Sequence, residues 1–478
     1  MINIADFKRF KEFSVTLSQE MNERLTAHLD KGQYQEDLTF AFWRPSQGKI
    51  RFTAVLSDLV LPSEGERILE GNVAFTSEYA SRVLDTAKQG QGIALLHSHL
   101  GPGWQGMSRD DVRAEQERLA GAVAGRTGLP LLGMTRGTDE SWSARFWLRQ
   151  AERKYERYWA RDVRVVGRRM TITFNPELAP PVKPRDSQIA KVSVWGEQNQ
   201  AIIARLRVGV IGLGSVGSIV AEALSRIGVS RITLIDLDRT ETRNLDRTLG
   251  ATVTDARRAK PKVKVSESLI RKTHTADNFE VSAYFGDLLT RKGMEMALDC
   301  DVLISCVDRP WPRHMMNALS YAHLIPVVDG GIIAKVDKGR LVHVDWRVHT
   351  VGPGRACLVC IGALRREEIS LDREGLLDDP LYIRGLDPRF QHLLFRQNVL
   401  PFSLSVASHQ VLQLVGLATG LRRIGGVGPQ FYHGFPGRMD VYEDTGCVDG
   451  CEYAVLLASA ADLTPNLRKG RAKQGTTD

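Results

Sequence analysis

The sequence lacks an apolar run of the roughly 18 residues that a membrane span requires. Its first residues, MINIADFKRFKEFSV, mix charges with single apolar positions and do not resemble a secretory signal. Cysteine is also scarce, with six in 478 residues, which excludes a disulfide-rich secreted framework. We therefore expect a cytoplasmic protein that does not act at a membrane.

The sequence also lacks a strong excess of positive or negative charge. The formal net charge of +8 is small for this length, and the basic residues are scattered rather than gathered in one block. We therefore expect no nucleic-acid partner. The stretch 461–478 is the exception, because its basic and polar composition is typical of a flexible tail.

The length predicts two domains, and the patterns on either side of a proline-rich stretch differ. Strand-like segments at 39–43, 50–55 and 93–99 alternate with helical ones, which predicts a smaller mixed α/β domain over 1–165. Downstream, short apolar strands alternate with helices, which predicts a Rossmann-like, mostly parallel sheet over 185–460. The four prolines of NPELAPPVKPRDSQ resist regular structure, so we place a linker at 166–184.

A glycine-rich loop follows the first strand of the second domain. It contains Gly212, Gly214 and Gly217 and leads directly into an apolar helix. Glycines allow close approach of a phosphate, and a helix N-terminus offers free N–H groups to an anion. The next strand ends at Asp236, where a carboxylate can accept hydrogen bonds from a ribose. These features alone also fit a NAD-dependent oxidoreductase, which stays open as an alternative.

Six polar positions after the loop distinguish the alternatives. They are Asp236, Asp238, Asn244, Arg247, Lys262 and Asp308. The ordered set, within about 185–453, resembles the ThiF/MoeB/ubiquitin-activating (E1-like) adenylyltransferase family. This resemblance implies that Asp236 binds the ATP ribose, with Asp238 in the same nucleotide-binding set. It also implies that Asn244, Arg247 and Lys262 hold the phosphates. Asp308 would bind Mg²⁺.

The resemblance also implies a reaction and its partners. The expected reaction is ATP-dependent adenylation of the C-terminal Gly-Gly carboxylate of a ubiquitin-like or sulfur-carrier protein, as in a bacterial modification or sulfur-transfer pathway. Attack of a carboxylate on a phosphate brings two anions together, so Arg247, Lys262 and the Asp308 metal ion suit the catalytic roles. A homodimer, and a conjugating enzyme or sulfur donor, are further implied partners. Ser187 stands where the family usually has an arginine, with Arg185 close by.

Four of the six cysteines form two close pairs. They are Cys357, Cys360, Cys447 and Cys451, and four thiolates make a closed tetrahedral set that Zn²⁺ accepts. The family carries a structural zinc in matching places. Cys300 and Cys306 then remain, in or beside a buried apolar run, so we expect no dedicated thioester cysteine.

A second metal site is predicted in the first domain. His97 and His99 alternate onto one face of a strand, and Asp111 follows on the next helix, which leaves a fourth zinc position for water. This pattern resembles the JAB/JAMM (MPN) metalloproteases. The resemblance implies that Ser108 stabilises the oxyanion and that Glu36 transfers protons. Asp110 competes with Asp111 because the intervening loop is one residue longer than usual.

The first domain is therefore expected to be a zinc isopeptidase that processes or removes the carrier. A catalytically inactive docking module is the alternative, since the altered loop also allows it.

Overall fold

The computed structural model describes residues 7, 9–30, 35–70, 72–183, 188, 194–338, 340–379, 382, 385, 398–421 and 428–463. The chain forms two compact units. The first is built from the chain up to Pro181, together with the short segments Ala322–Leu324 and Leu456–Ala461. The rest of the chain forms the second unit. Arg185, Ser187 and residues 464–478 of the predicted tail lie outside the described residues.

The first unit contains a nine-stranded mixed sheet in the order β11-β10-β1-β3-β2-β6-β7-β8-β9. Its strands are β1 Glu12–Ser18, β2 Leu38–Gln47, β3 Arg51–Val60, β6 Gly92–Ser98, β7 Leu131–Arg136, β8 Trp142–Ala151, β9 Lys154–Trp159, β10 Asp162–Val166 and β11 Met170–Phe174. A separate hairpin pairs β4 Arg67–Glu70 with β5 Asn72–Phe75.

Helices pack on this sheet. They are α1 Gln19–Leu29, α2 Ser77–Thr86, α3 Arg109–Val112 and α4 Ala120–Thr127, with a π-helical segment, Arg113–Leu119, joining the last two. Both faces of the sheet are covered, since Phe40 and Phe42 enter one core cluster while Ala41 and Trp43 enter another. This alternation follows from the twofold period of a strand. The predicted mixed α/β fold is confirmed.

The predicted linker needs a correction at its first half. Met170–Phe174 forms strand β11, antiparallel to β10, with Met170 opposite Val166. Met170 and Phe174 are buried at 2% and 8% exposure, so the segment gains apolar burial as an edge strand. The first unit therefore extends through residues that the proline-based prediction assigned to a linker.

The second unit contains an eight-stranded sheet in the order β14-β13-β12-β15-β16-β17-β18-β19. Its strands are β12 Arg207–Ile211, β13 Arg231–Asp236, β14 Glu280–Phe285, β15 Val302–Ser305, β16 Val327–Asp337, β17 Arg340–Val351, β18 Gln430–His433 and β19 Arg438–Val441. The pairings from β14 to β16 are parallel, which confirms the Rossmann-like arrangement. Strands β17 to β19 add an antiparallel extension.

The described helices of this unit connect and cover the sheet. They are α5 Glu197–Arg205, α6 Ser215–Arg226, α7 Val253–Arg257, α8 Lys262–Thr273, α9 Arg291–Leu298, α10 Pro310–Ala322, α11 Arg366–Arg373 and α12 Leu400–Thr419, with 3-10 turns at Thr242–Asn244, Leu376–Asp378 and Ala454–Leu456.

Helix α12 is long and apolar enough, by length and composition, to cross a membrane. The sequence-based expectation of no such run therefore needs correction. Half of the apolar 18-residue stretch of this helix is buried inside the protein. Gln410 on this helix donates to the backbone carbonyls of Ser305 at 2.9 Å and Val328 at 3.2 Å, which ties the helix to β15 and β16. These contacts are typical of a core helix.

Candidate active sites

The glycine-rich loop between β12 and α6 needs glycine at two positions for different reasons. Gly212 has φ +86°, a conformation that L side chains rarely adopt. A Cβ on Gly217 would lie 1.8 Å from the Gly212 carbonyl oxygen, so a side chain there would break the turn. Gly214 differs, because a Cβ built on it meets no described atom within 4 Å. Gly214 is also the N-cap of α6, so the open space lies at a helix N-terminus that favours anions.

Asp236 at the end of β13 holds this loop in place. Its carboxylate accepts the backbone N–H of Leu213 at 2.5 Å and that of Asp238 at 2.6 Å. Burial raises the pKa of Asp236 to about 6, and the negative charge of Asp238 adds to this against the opposing effect of Lys262. The structure thus gives Asp236 a loop-holding role that the sequence pattern did not predict.

Asp238 and Lys262 form a clamp beside the loop. Lys262 Nζ lies 2.9 Å from Asp238 Oδ2, and the Lys262 N–H donates to the Asp238 carbonyl at 3.0 Å. Burial opposes the charge of Lys262, but the negative charges of Asp236, Asp238 and Asp308 outweigh it and raise the lysine pKa. The structure therefore brings four predicted residues into one electrostatic group, including Asp308 from the loop after β15.

Asn244 and Arg247 lie on and just after the 3-10 turn Thr242–Asn244. The Asn244 side chain accepts the N–H of Glu241 at 3.1 Å, while Arg247 donates to the Arg243 carbonyl at 2.8 Å and to Asp246 at 2.7 Å. These bonds are local. Among the described residues, neither Asn244 nor Arg247 forms a hydrogen bond with Lys262.

The four paired cysteines come together although they lie far apart in sequence. Their sulfur atoms all lie within 4.8 Å of one another, and the Cys357 and Cys451 sulfurs are 3.7 Å apart. Sulfur atoms around a tetrahedral zinc with bonds of roughly 2.3 Å lie about 3.8 Å apart. The backbone N–H of Cys360 also donates to Cys357 Sγ at 3.3 Å. The cluster fits a structural zinc ion and contains no disulfide.

The two remaining cysteines are poor nucleophiles. Cys300 is fully buried. Burial raises the pKa of Cys306 well above its ordinary value, and the charge of Asp329 adds to the effect. Since the thiolate is the reactive form, neither position favours transfer of an acyl group to sulfur.

In the first unit, His97, His99 and Asp111 converge on one point. The two imidazole Nε2 atoms are 3.1 Å apart, and they lie 3.2 and 3.3 Å from the two carboxylate oxygens of Asp111. Ligand atoms around a tetrahedral zinc with bonds of roughly 2.0 Å lie about 3.3 Å apart. The three residues therefore fit a zinc ion, and it is Asp111 rather than Asp110 that reaches the histidines.

The Asp111 carboxylate interacts strongly with the imidazoles of this cluster. Burial would raise the pKa of Asp111, but hydrogen bonds from both imidazoles outweigh it and hold that pKa well below its usual range. The hydrogen bond to Asp111 raises the pKa of His99, against the effect of burial, and the charge of Glu36 contributes in the same direction. Glu36 is thus within electrostatic reach of the cluster.

The backbone that bears Glu36 is fixed to the histidine strand. The Asp37 N–H donates to Ser98 Oγ at 3.0 Å, and the Ser98 N–H donates to the Asp37 carbonyl at 3.0 Å. Arg67 holds the buried Asp37 carboxylate at 2.7 Å. Glu66, another acidic residue of this unit, is ion-paired with Arg82.

Ser108 forms a capping box with Asp111. Its Oγ accepts the Asp111 N–H at 3.1 Å, and its own N–H donates to the Asp111 carboxylate at 2.7 Å. This box orients Asp111 toward the histidines and leaves the Ser108 hydroxyl hydrogen free of that bond.

Some residues near this cluster were not predicted from the sequence. Thr135, Arg145 and Glu115 form a hydrogen-bonded chain that ends at His97. Their separations in sequence match no local motif. The parallel pairing of β6 and β7, with Thr135 opposite His97, would have indicated the proximity of Thr135.

The parallel sheet, the glycine loop and the helix N-terminus define a Rossmann-like protein. The model of the ThiF family matches residues 186–426, about half of the chain. The chain therefore belongs to the ThiF family, the E1-like group of adenylyltransferases.

Related proteins are found in several organisms. Ubiquitin-like modifier-activating enzyme 5 of Drosophila willistoni is 29% identical over 185 residues, covering 35% of this chain and 43% of that protein. The Gallus gallus protein of the same description is 25% identical over 244 residues, covering 48% and 58%. The chain spans about half the length of the curated relatives it matches.

Solved structures show weaker overall similarity. Escherichia coli MccB with ATP has a TM-score of 0.39 and 16% identity, covering 53% of this chain and 68% of that chain. Escherichia coli tRNA N6-threonylcarbamoyladenosine dehydratase, TcdA, has a TM-score of 0.29 and 28% identity, covering 32% and 63%.

Proposed function

We propose that the second unit adenylates the C-terminal glycine carboxylate of a ubiquitin-like or sulfur-carrier protein, using ATP and Mg²⁺. The observation that supports this most directly is the clamp of Lys262 among Asp236, Asp238 and Asp308, beside the open space at Gly214. Membership of the ThiF family supports the same reaction.

In the proposed reaction, a carboxylate oxygen of the carrier bonds to the α-phosphorus of ATP. The bond from that phosphorus to the bridging oxygen breaks, and pyrophosphate leaves with both electrons. Lys262 and Arg247 offset the charge of the phosphates, while the loop N–H groups orient them. Asp308, an exposed residue, would hold Mg²⁺, which would neutralise charge on the phosphates.

Exchange of labelled pyrophosphate into ATP, with a carrier ending in Gly-Gly, tests this proposal. The full chain should catalyse exchange, and Asp308→Ala should abolish it. Glu295→Ala, which removes a half-buried carboxylate on α9 that pairs with Arg291, is the matched control and should retain exchange. Undiminished exchange in Asp308→Ala would contradict the metal assignment. Absence of exchange in the parental protein, together with nicotinamide binding, would favour the NAD-dependent alternative.

The partners follow from the same proposal. The carrier protein is the substrate, and a conjugating enzyme or sulfur donor receives the activated acyl group, because Cys300 is buried and the half-buried Cys306 has a raised thiol pKa. A homodimer and a cytoplasmic location belong to the proposal as well. The four-cysteine cluster would hold a structural zinc ion that stabilises this unit.

For the first unit we propose zinc-dependent hydrolysis of a bond to the carrier's terminal glycine, as in a JAB/JAMM isopeptidase. The convergence of His97, His99 and Asp111 supports this second function. Zinc bound there would polarise the scissile carbonyl as a Lewis acid. Glu36 would take a proton from the attacking water and deliver it to the leaving amine, and the Ser108 hydroxyl would donate to the developing oxyanion.

Two variants separate ligation from proton transfer. His97→Ala should lose zinc and hydrolysis together, whereas Glu36→Ala should keep zinc and lose hydrolysis of a carrier fused to an extension. Metal analysis and a gel-based cleavage assay measure both. Loss of zinc in Glu36→Ala would contradict the assigned role. A parental protein that holds no zinc in this unit would favour the docking-module alternative.

A further inference from the structure

Two arginines share one buried carboxylate at the carboxyl end of β15 in the second unit. The Asp329 side chain is 0% exposed. Arg313 contacts both of its oxygens, with Nε 3.0 Å from Oδ1 and Nη2 2.6 Å from Oδ2. Arg347 Nη1 donates to Oδ2 at 2.6 Å, and the Ser305 hydroxyl donates to Oδ1 at 2.8 Å. Because a guanidinium stays protonated in proteins, this group carries one positive charge in excess.

The other N–H groups of the two arginines are free to bind a ligand. Within the described part of the chain, Arg347 Nε and Nη2 and Arg313 Nη1 form no hydrogen bond. None of these three atoms is buried, and each side chain is 12% exposed. Gly331 leaves room for Arg347, since a Cβ there would lie 3.2 Å from Arg347 Nη2. Asp345, two residues along β17, is bonded to His433 at 3.0 Å.

Strand register places Arg347 beside the loop that bears Asp308. Asp329 pairs with Ser305, the last residue of β15. Strand β16 continues past this point, and Arg347 on β17 pairs with Gly331, two residues beyond Asp329. At about 3.3 Å per residue, Arg347 therefore lies roughly 7 Å beyond the carboxyl end of β15, where the Asp308 loop begins.

Both ends of the Asp308 loop are tied to the same carboxylate. Ser305 lies three residues before Asp308, and Arg313 lies five residues after it on α10. Both side chains donate to Asp329. The arginine pair and the proposed Mg²⁺ ligand thus share one edge of the parallel sheet, which is the edge where open α/β sheets bind their ligands.

The proposed adenylation needs a cation for the carrier as well as for ATP. The terminal carboxylate of the carrier must approach the phosphates of ATP, which repel it. A guanidinium can hold a carboxylate through two parallel N–H bonds. Each carboxylate oxygen has two lone pairs, so an oxygen held in this way keeps one with which to attack the α-phosphorus.

We infer that Arg347 binds the terminal glycine carboxylate of the carrier through its free Nε and Nη2 donors, beside the Asp308 loop. Asp329 is a positioning residue, because it acts by fixing the Arg347 guanidinium. This inference rests on the proposed adenylation and names the side chain that recognises the charge of the substrate.

The test compares N-acetyl-Gly-Gly, which has a free carboxylate, with N-acetyl-Gly-Gly amide, each titrated into the full chain and followed by saturation-transfer NMR. The parental protein should bind the free acid roughly 10- to 100-fold more tightly, as expected for a hydrogen bond between charged groups. Arg347→Met should reduce this preference to within about twofold. Arg347→Lys, which keeps the charge without the planar fork, should give an intermediate preference. The affinity for ATP, measured by calorimetry, should stay within about twofold in both variants, because Arg347 is assigned to the carboxylate.

Arg347→Met should fold, because Arg313 still pairs with the buried Asp329 carboxylate and no lone buried charge is left. Arg340→Met is the matched control. Arg340 is an exposed arginine on the same strand, β17, so this variant should keep the parental preference for the free acid.

A parental preference for the free acid in Arg347→Met would overturn the inference, as would a parental protein without that preference. Weaker ATP binding in Arg347→Met would assign the arginine to the phosphates and also overturn it. If Arg347→Met fails to fold, Arg347→Gln replaces it, and failure of both would show a structural role and overturn the inference.

Pyrophosphate exchange with a Gly-Gly carrier separates this inference from the proposal on which it rests. A parental protein that catalyses no exchange would overturn the proposed adenylation and this inference with it. A parental protein that catalyses exchange, beside Arg347→Met with an unchanged KM for the carrier, would overturn the inference alone.

Discussion

Replacing Gly214 by alanine tests whether the glycine-rich loop binds phosphate. The added Cβ meets no described atom within 4 Å, and the residue has φ −74°, so alanine fits the folded chain. Gly214 is the N-cap of α6, and alanine is a weaker N-cap by about 1 kcal/mol. We therefore expect Gly214→Ala to fold, with its melting temperature lower by only a few degrees.

The effect on ATP should be larger. A phosphate oxygen that accepts a loop N–H lies roughly 2.9 Å from the nitrogen. A methyl group on the same residue then occupies space that the phosphate requires. Such overpacking costs about 1–3 kcal/mol, which corresponds to ATP affinity weaker by roughly 5- to 150-fold.

Calorimetric titration with Mg²⁺ and ATP measures this loss, and thermal unfolding of the same samples measures the fold. Gly106→Ala is the control, because a Cβ there also meets open space but lies in the first unit. Gly217→Ala should behave differently and destabilise the second unit, since its Cβ would lie 1.8 Å from the Gly212 carbonyl oxygen. An ATP affinity within twofold of the parental value in folded Gly214→Ala would refute the proposed phosphate site.

Three further substitutions give sharp outcomes. Lys262→Met should lower pyrophosphate exchange by roughly 10- to 100-fold, because the carboxylates around it lose their counter-charge. Lys264→Met, on the exposed side of α8, should not lower it. Equal exchange rates in Lys262→Met and Lys264→Met would contradict the clamp. Cys360→Ser should lose zinc and thermal stability together, and Cys306→Ser should keep the zinc; a stable, metal-free Cys360→Ser would exclude a structural zinc site. The folded pKa of Asp236 is raised to about 6 from an ordinary 3.8, so its contribution to stability is fully present below pH 3.8 and is lost as pH rises through 6. Urea unfolding should therefore show the parental protein losing about 1 kcal/mol relative to Asp236→Asn between pH 5 and 7; parallel pH profiles would disprove the shift.

Local patterns predicted the parts of the molecule that neighbouring residues determine. The strand–glycine loop–helix unit around Gly212 and Gly217 forms because a tight turn admits no side chain there. His97 and His99 share one face because strand residues alternate. The Asp111 carboxylate points at them because its own capping box with Ser108 orients it. Each of these relations spans a few residues, so the sequence pattern contains it.

Relations between distant segments could not be predicted in the same way. The pairing of β17 with β18 joins residues more than 80 positions apart, such as Asp345 and His433. The contact of Arg145 with Thr135 depends on the antiparallel register of β7 and β8. The role of Asp236 as an acceptor for the loop N–H groups depends on how β12 and β13 lie side by side. Such contacts depend on strand register, which packing of both sheet faces selects.

The two proposed chemistries make opposite demands on charge, and the two units meet them differently. Adenylation brings a carboxylate to a polyphosphate, so Lys262 is held charged by the carboxylates of Asp238 and Asp236. Hydrolysis of an acyl bond develops one negative oxygen beside a cation-binding cluster. There Glu115 neutralises the charge of Arg145, and Arg145 Nη1 donates to the neutral hydroxyl of Thr135. An unpaired arginine next to His97 and His99 would disfavour binding of a zinc ion, whereas an arginine whose charge is neutralised by a carboxylate does not. The buried Glu115 is therefore what allows an arginine to lie so close to the proposed zinc ligands.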